Sequence, residues 1–366
     1  MNGPNRRIDA SPPVFPKTGA ALLRVDGTIA RILDAARDGQ PPTKEDCACL
    51  LRLPEQSLEA SLLRAVADAV TRRRFHNEAI VLGQIGVAID ACPGKCKFCN
   101  FGEGHTTFTP GALSDAEILR SVASFTSSKE LYALFLMTMH TFDFDRLLRT
   151  VGAVRASIPG ETQIVVNIGD FDCAQGLDLK AAGVNGAYHV CRLREGTDTA
   201  LDPQQRLATI RTIKDCGLDW YYCCEPIGPE HTPEELADQI FLGIEYGCFQ
   251  HAAMRRVYIP SAPLAPYGQI SELRLAQVVA VVALATLHCP ETRSIAVHEP
   301  NLLGLAAGAN TIYAETGANP RDTEKDTSGH RGRDIRDCKT MLYEAGFEIL
   351  LGSPEKRLAL TQAYRQ

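Results

Sequence analysis

Eight short apolar runs alternate with helix-like stretches along most of the chain, and no other feature of the sequence constrains the fold as strongly. The runs are 80–89, 131–139, 163–168, 186–191, 219–224, 254–259, 294–298 and 310–314. Short apolar runs bounded by turn residues read as strands buried on both faces. The pattern between and after them predicts helices over 114–127, 143–157, 172–182, 202–216, 232–246, 271–288, 299–307 and 331–346. Ala182-Gly183 and Cys216-Gly217 stand where a helix would end and feed the next strand. Eight strand–helix units in series predict an α/β chain of the (β/α)8 TIM-type barrel class. The barrel is expected over 79–352. A polar, proline-rich tail and a short helical N-terminal region fill 1–78, and a C-terminal tail or helix fills 353–366. In the N-terminal region Thr43, with Asp46 three residues on, reads as a helix cap. The polar, glycine-bearing stretch 316–330 reads as a surface loop.

Composition limits the function classes. The chain has 366 residues, 45% hydrophobic and 22% charged, which excludes a disordered or collagen-like protein. With 38 basic and 44 acidic residues, the net charge of −6 provides no global basic field for nucleic acid or anionic lipid. The longest apolar run, 278–287, is too short to cross a bilayer. The first residues, MNGPNRRIDASPPVFPK, lack the apolar centre of a secretory signal, so a cytoplasmic location is expected. Thirteen cysteines, an odd number with one tight cluster, argue against a disulfide scaffold in that setting. Each is then a metal ligand, a catalytic group or a small buried residue.

The cluster is DACPGKCKFCNFG, with Cys92, Cys96 and Cys99 directly after the first apolar run. A barrel exposes its first strand–helix loop there, at the catalytic face. Closely spaced thiolates on one turn suit a soft metal, and Pro93-Gly94 lets the turn tighten. Zinc is the plainer alternative but needs a fourth ligand, for which His105 is the candidate. Packing alone is a poor reason for three cysteines beside Lys95, Lys97 and Asn100.

The run Cys92-Pro-Gly-Lys-Cys96-Lys-Phe-Cys99 resembles the motif of the radical S-adenosylmethionine superfamily, in its spacing and in the aromatic before the third cysteine. The resemblance implies that Cys92, Cys96 and Cys99 are the catalytic, metal-binding residues and hold a [4Fe–4S] cluster. S-adenosylmethionine would chelate the fourth iron, and one electron would release a 5′-deoxyadenosyl radical that abstracts a substrate hydrogen. From about 80 to 350 the chain resembles the biotin synthase branch, which includes the hydrogenase maturation enzyme HydE and methylornithine synthase. That implies cofactor contacts from Phe98 and from Glu195 in GAYHVCRLREGTDT. It also implies them from Arg206 in QQRLATIRTIKDCGL, and from Ile227 and Gly228 in CCEPIGPEHTPEEL. The plainer reading of Arg206 is a solvated helix charge. The superfamily often carries a Gly–Glu pair after the second strand. Here the chain reads Met137-Thr138-Met139-His140, with Thr138 as the candidate substitute.

The other cysteines divide the functional readings. Cys173, Cys191, Cys223 and Cys224 fall at expected strand ends and Cys338 on the last helix, so they are candidate ligands of a second iron–sulfur cluster like the one in biotin synthase. For each of them the alternative is a small buried residue. A second cluster would mean sulfur insertion of biotin or lipoyl synthase type, on an acyl substrate that is free or held on a carrier. This reading is favoured. Without it, a radical mutase or cofactor-maturation enzyme would act on a small amino acid. Arg255, Arg256, His298 and Glu299 would then meet the substrate carboxylate and ammonium. One of two adjacent strand arginines must point outward. A non-catalytic iron–sulfur carrier is the reading from another class, and it would not need Glu195, Arg206 and Gly228. The expected partners are the small-molecule or acyl-carrier substrate and a one-electron donor such as flavodoxin or ferredoxin, with neither nucleic acid nor membrane.

Overall fold

Helix caps set the lead-in to the barrel. In a computed structural model that describes residues 25–90, 92–105, 110–126, 130–299, 301–315, 333–353 and 356–361, Asp26, Thr43 and Ser57 start the first three helices. These are α1 (Gly27–Arg37), α2 (Lys44–Leu51) and α3 (Leu58–Arg74). Thr43 and Asp46 form the reciprocal capping box that their spacing predicts. Helices α2 and α3 pack against two helices of the barrel, Pro233–Glu245 and Glu272–Ala285.

The chain then enters β1 (Glu78–Gly86), a two-residue ribbon β2 (Ala88–Ile89) with β3 (Gly111–Ala112), and α4 (Asp115–Thr126). The alternation continues through β4 (Ala133–Met137), α5 (Phe144–Ser157), β5 (Gln163–Asn167), α6 (Cys173–Ala181), β6 (Gly186–Tyr188) and α7 (Pro203–Asp215). It runs on through β7 (Asp219–Ile227), α8 (Pro233–Glu245), β8 (Gln250–Arg255), α9 (Glu272–Ala285) and β9 (Ser294–Val297). The one-turn α10 (Leu302–Leu305), β10 (Thr311–Glu315) and α11 (Ile335–Glu344) follow. Strands β1 and β4 to β10 are parallel, each paired with the next, and β10 returns to β1 with Ile80 opposite Thr311. The sheet is therefore a closed eight-stranded barrel inside a layer of helices, as the alternation predicts. Phe135 fills its centre, edge-on to Tyr221 at 5.2 Å and to Tyr313 at 5.6 Å. The apolar run 278–287 lies mostly in α9, which is buried on every side between the barrel and α3. No helix among the described residues is long and apolar enough to cross a membrane.

Three expectations need correction. The sixth barrel strand is Gln250–Arg255 rather than 254–259. Gln250 and His251 hide it by being polar yet fully buried, bonded to Tyr313 and to the Ile240 carbonyl. The expected helix 299–307 is a single turn. The C-terminal tail or helix is instead a hairpin of β11 (Ile349–Ser353) and β12 (Lys356–Ala359). β11 adds to β1 at Glu78 and Ala79, beside the start of the barrel strand, and Leu350 is buried there. The N-terminal tail 1–17 and the loop 316–330 lie outside the described residues.

Candidate active site

The cysteine loop leaves β1 at the barrel's C-terminal end and is tied down by its own backbone. The Cys99 N–H donates to the Cys96 carbonyl at 3.1 Å, and the Gly102 N–H to the Cys99 carbonyl at 3.0 Å. Two further bonds dock the loop on the segment after β6. The Ala200 N–H meets the Gly94 carbonyl at 2.7 Å, and the Lys97 N–H meets the Asp198 carbonyl at 2.9 Å. Lys95 adopts a left-handed φ of 46° in the turn between the first two cysteines. These bonds pin the loop at the place where a barrel does its chemistry.

Cys92, Cys96 and Cys99 all line one cavity of about 240 Å³ at this end of the barrel. Cys96 is buried, and burial pushes its thiol up to about 12 against the opposing charge of Arg192. Among the described residues no three Cys, His, Asp or Glu side chains converge as they would around a single ion. A cubane cluster asks for something else, because each thiolate takes its own iron and the sulfurs surround the cluster instead of sharing one atom. Three thiols on one short loop facing one cavity fit that donor set. They do not fit zinc. His105 places Nε2 2.9 Å from the Cys99 carbonyl rather than with the sulfurs.

A chain of alternating charges runs along the cavity, with His189, Arg192, Arg206 and Glu225 lining it and Asp170 and Glu195 bonded to them from outside the lining. Asp170, in the loop after β5, accepts from Arg206 Nη1 at 3.0 Å and from the Thr209 hydroxyl at 2.8 Å. His189 Nε2 lies 3.1 Å from the same oxygen. Arg206 donates Nε to the Val190 carbonyl at 3.1 Å and stands 3.9 Å from Glu195. Glu195 accepts from the Arg192 N–H at 2.9 Å and the Thr199 hydroxyl at 2.6 Å. Arg192 pairs with Glu225 at 3.1 Å, and the Tyr188 hydroxyl donates to Glu225 at 2.6 Å.

This arrangement fixes the charge states. Burial alone would raise Asp170, but the His189 contact and the Arg206 charge hold it well below the usual carboxylate range. Burial and the Arg206 charge lower His189 to about 3, so its ring is neutral. Burial alone would lower Arg192, and Glu225 with Glu195 turns the net effect upward. The strand ends are packed tightly enough to keep these groups in register. A Cβ on Gly169 would run into the His140 carbonyl oxygen, so only glycine fits between the second and third strand ends.

The structure brings together most, not all, of the residues singled out in the sequence. Phe98, Thr138 and Arg206 line the cavity with the three cysteines. Arg206 is no solvated charge: it is 4% exposed. Glu195 lies behind the wall and holds Arg192 and Arg206. Ile227 and Gly228 are also absent from the lining. The Gly228 N–H donates to His231 Nδ1 at 2.9 Å, and a Cβ there would strike the Glu230–Arg256 pair. Arg255, Arg256, His298 and Glu299 reach the cavity from the sixth and seventh strand ends. Arg255 donates to Glu299 at 2.6 Å, while Arg256 is buried against Glu230 and the Gly268 carbonyl. His298 stacks on Tyr313 with ring centres 4.0 Å apart.

The five cysteines considered for a second cluster are not assembled. Cys223 and Cys224 are adjacent on β7 and face opposite sides of the sheet. Cys223 lies inside the barrel beside Tyr188, and Cys224 lies on the side where Tyr222 bonds to α8. Cys173 opens α6 and meets Cys216 of α7, in the outer layer. Cys191 is directed at the Pro203 carbonyl, and Cys338 of α11 at the Tyr313 carbonyl. Sequence reasoning also missed Asp170, His189, Arg192 and Glu225. Their signal was position, since a polar residue at or just past the C-terminal end of a barrel strand is placed for chemistry.

No family model and no curated protein sequence matches this chain. Solved structures do match it. Methylornithine synthase (PylB) superposes with a TM-score of 0.74 at 18% identity, covering 86% of this chain and 96% of that one. HydG, a maturase of the [FeFe]-hydrogenase, gives 0.72 at 14% identity, covering 88% and 75%. HydG from Carboxydothermus hydrogenoformans gives 0.71 at 16% identity, covering 87% and 78%. The chain thus shares the barrel fold of methylornithine synthase and HydG, structures of the branch that its residues from about 80 to 350 resemble.

Proposed function

We propose that this chain is a radical S-adenosylmethionine enzyme with a single [4Fe–4S] cluster on Cys92, Cys96 and Cys99. It acts on a small polar molecule at the barrel mouth. The observation that carries the reading is that all three thiols, on a loop pinned by backbone hydrogen bonds, line the same cavity as Arg192, Arg206 and Glu225. Bound there, the cluster and S-adenosylmethionine supply one-electron cleavage of a carbon–sulfur bond and hydrogen abstraction from substrate.

The chain's own residues bind, orient and exclude water. Arg206, fixed by Asp170 and the Val190 carbonyl, offers positive charge to the cofactor carboxylate. Thr138 and the Phe98 backbone are the nearby polar and backbone contacts. Glu195, Ile227 and Gly228 stand outside the lining. Phe101, Met137, Met139, Ile168 and Met254 line the cavity and keep water from the reacting atoms. Arg255 and Glu299, paired at 2.6 Å, match the carboxylate and ammonium of a zwitterion.

This reading favours a mutase or cofactor-maturation reaction over sulfur insertion, because the cysteines that a sulfur-donating cluster would use are dispersed among three layers. The electron donor it needs is a one-electron carrier such as flavodoxin or ferredoxin.

The test is anaerobic reconstitution followed by iron and sulfide analysis and by assay for 5′-deoxyadenosine with a strong reductant. About four irons per chain are expected in the parent and almost none in the Cys92/Cys96/Cys99→Ala variant. About four irons surviving in that variant would establish a second cluster and restore sulfur insertion. A loaded parent that makes no 5′-deoxyadenosine would be a carrier.

A further inference from the structure

One pair of cysteines stands apart from the cavity, with one sulfur at the surface and the other at the edge of the core. Cys173 is the first residue of α6 and Cys216 caps the end of α7, with their sulfurs 3.9 Å apart. Cys216 Sγ also lies 3.6 Å from the Cys173 carbonyl oxygen. Of the thirteen cysteines only Cys173 is exposed, whereas Cys216 is 4% exposed beneath it. The surroundings hold the buried sulfur in place. Lys180 Nζ donates to the Cys216 carbonyl at 2.8 Å and the Gly217 carbonyl at 3.2 Å. Gly176 makes the room, since a Cβ there would sit 2.7 Å from Cys216 Sγ.

The segment leading into Cys173 is already held to α7 at its other end, where Asp170 takes Arg206 and Thr209. Residues 170–173 therefore lie along α7 with a charged contact at one end and a sulfur contact at the other. We propose that Cys173 and Cys216 form an oxidation site for hydrogen peroxide, and that the resulting disulfide fastens segment 170–173 to α7. The Cys173 sulfur attacks a peroxide oxygen, the O–O bond breaks, and a sulfenic acid and one water form. Cys216 sulfur then displaces the hydroxyl as a second water and the S–S bond closes. Two thiols lose two electrons and two protons, and hydrogen peroxide becomes two waters. An exposed sulfur that meets the oxidant beside a buried one that resolves it is the division of labour such a site requires. The inference does not depend on the cluster or on the reaction proposed above.

The test treats the full reconstituted chain, and in parallel its Cys92/Cys96/Cys99→Ala variant, with stoichiometric hydrogen peroxide. Free thiols are then alkylated and the chain is digested without reductant. The expected product is a peptide pair joined from Cys173 to Cys216 and released by dithiothreitol. Fragmentation is needed to place the bond, because Cys223, Cys224 and Cys248 share the tryptic peptide of Cys216. In Cys216→Ser, Cys173 is expected to go on to sulfinic acid, and the joined pair is lost. Amide exchange over 171–175 is expected to slow in the oxidised parent. Sulfinic acid at Cys173 in the parent, with Cys216 still alkylated, would overturn the site. A cross-link that leaves the exchange of 171–175 unchanged would overturn the fastening.

Discussion

Asp170 and Arg206 stand 36 residues apart in sequence and 3.0 Å apart in space, with one Asp170 oxygen shared among Arg206, Thr209 and His189. The contact ties the third strand end to the helix after the fourth, and it places a buried guanidinium on the cavity wall. The geometry is local to the loop after β5, but its effect is to orient a group on α7.

Asp170→Asn removes the counter-charge and leaves Arg206 buried. A loss of about 3 kcal/mol is expected, read as a lower urea midpoint at pH 7. Asp170 is depressed in the folded chain, so its contribution is complete above its ordinary value of 3.8 and fades as pH falls below that. The gap between parent and variant should therefore be full at pH 7 and narrow below about pH 4. A gap that is constant down to pH 3 would mean that Asp170 acts through packing alone.

Two buried histidines add to the loss of stability on the acid side. Burial lowers His189 to about 3 and His251 to about 4. Unfolding returns each to the ordinary value of 6.5, where it binds a proton that the folded chain refuses. Stability is therefore lost as pH falls from about 6 toward 4, with each histidine adding about 1.4 kcal/mol per pH unit to the slope. Equilibrium unfolding of His251→Gln across that range should show a slope shallower by about this amount.

Two glycine substitutions should move in opposite directions. Gly169→Ala drives a methyl into the His140 carbonyl, and a cost of at least about 2 kcal/mol is expected together with displacement of Asp170. Gly152 lies inside α5 with open space around it, so Gly152→Ala should raise stability by up to about 1 kcal/mol. Thermal unfolding of the two variants beside the parent decides both.

The dispersal of the remaining cysteines has an analytical consequence. Single Ala substitutions at Cys173, Cys191, Cys223, Cys224 and Cys338 should each leave the reconstituted chain at about four irons. A clear drop in iron and sulfide at any of these positions, with the fold intact by circular dichroism, would revive the second cluster.

The barrel was legible because strands buried on both faces are written as apolar runs, and seven of the eight fell where the runs did. The sixth was displaced because β8 begins with Gln250 and His251. Their polarity is neutralised by Tyr313 and Ile240, partners that no local pattern reveals. The C-terminal hairpin was missed for a related reason: β11 and β12 are short, and β11 is fixed by pairing with both β12 and the distant β1. In the site, the cysteine loop was readable from spacing within a few residues. Asp170 and His189 were not, because what places them at the site is the contact of Asp170 with both His189 and Arg206, groups on different elements. The cysteines after the strands were over-read. A strand end fixes height in the barrel, but inward or outward depends on a register of one residue, and Cys223 and Cys224 sit on either side of that choice.

β1 carries the cysteine loop at its end, yet the strands that flank it on one side are β10 and β11. Those pairings join residue 80 to residue 311 and residue 78 to residue 349. A ribosome therefore releases the three thiols long before the strand beneath them has its neighbours, and long-range parallel pairing forms slowly. Until residues 311–353 emerge, the loop has no rigid footing and its sulfurs are open to stray metal and oxidant. Loading with iron and sulfide then belongs to the finished barrel rather than to the nascent chain, and expression that outruns folding should yield protein with its thiols already damaged.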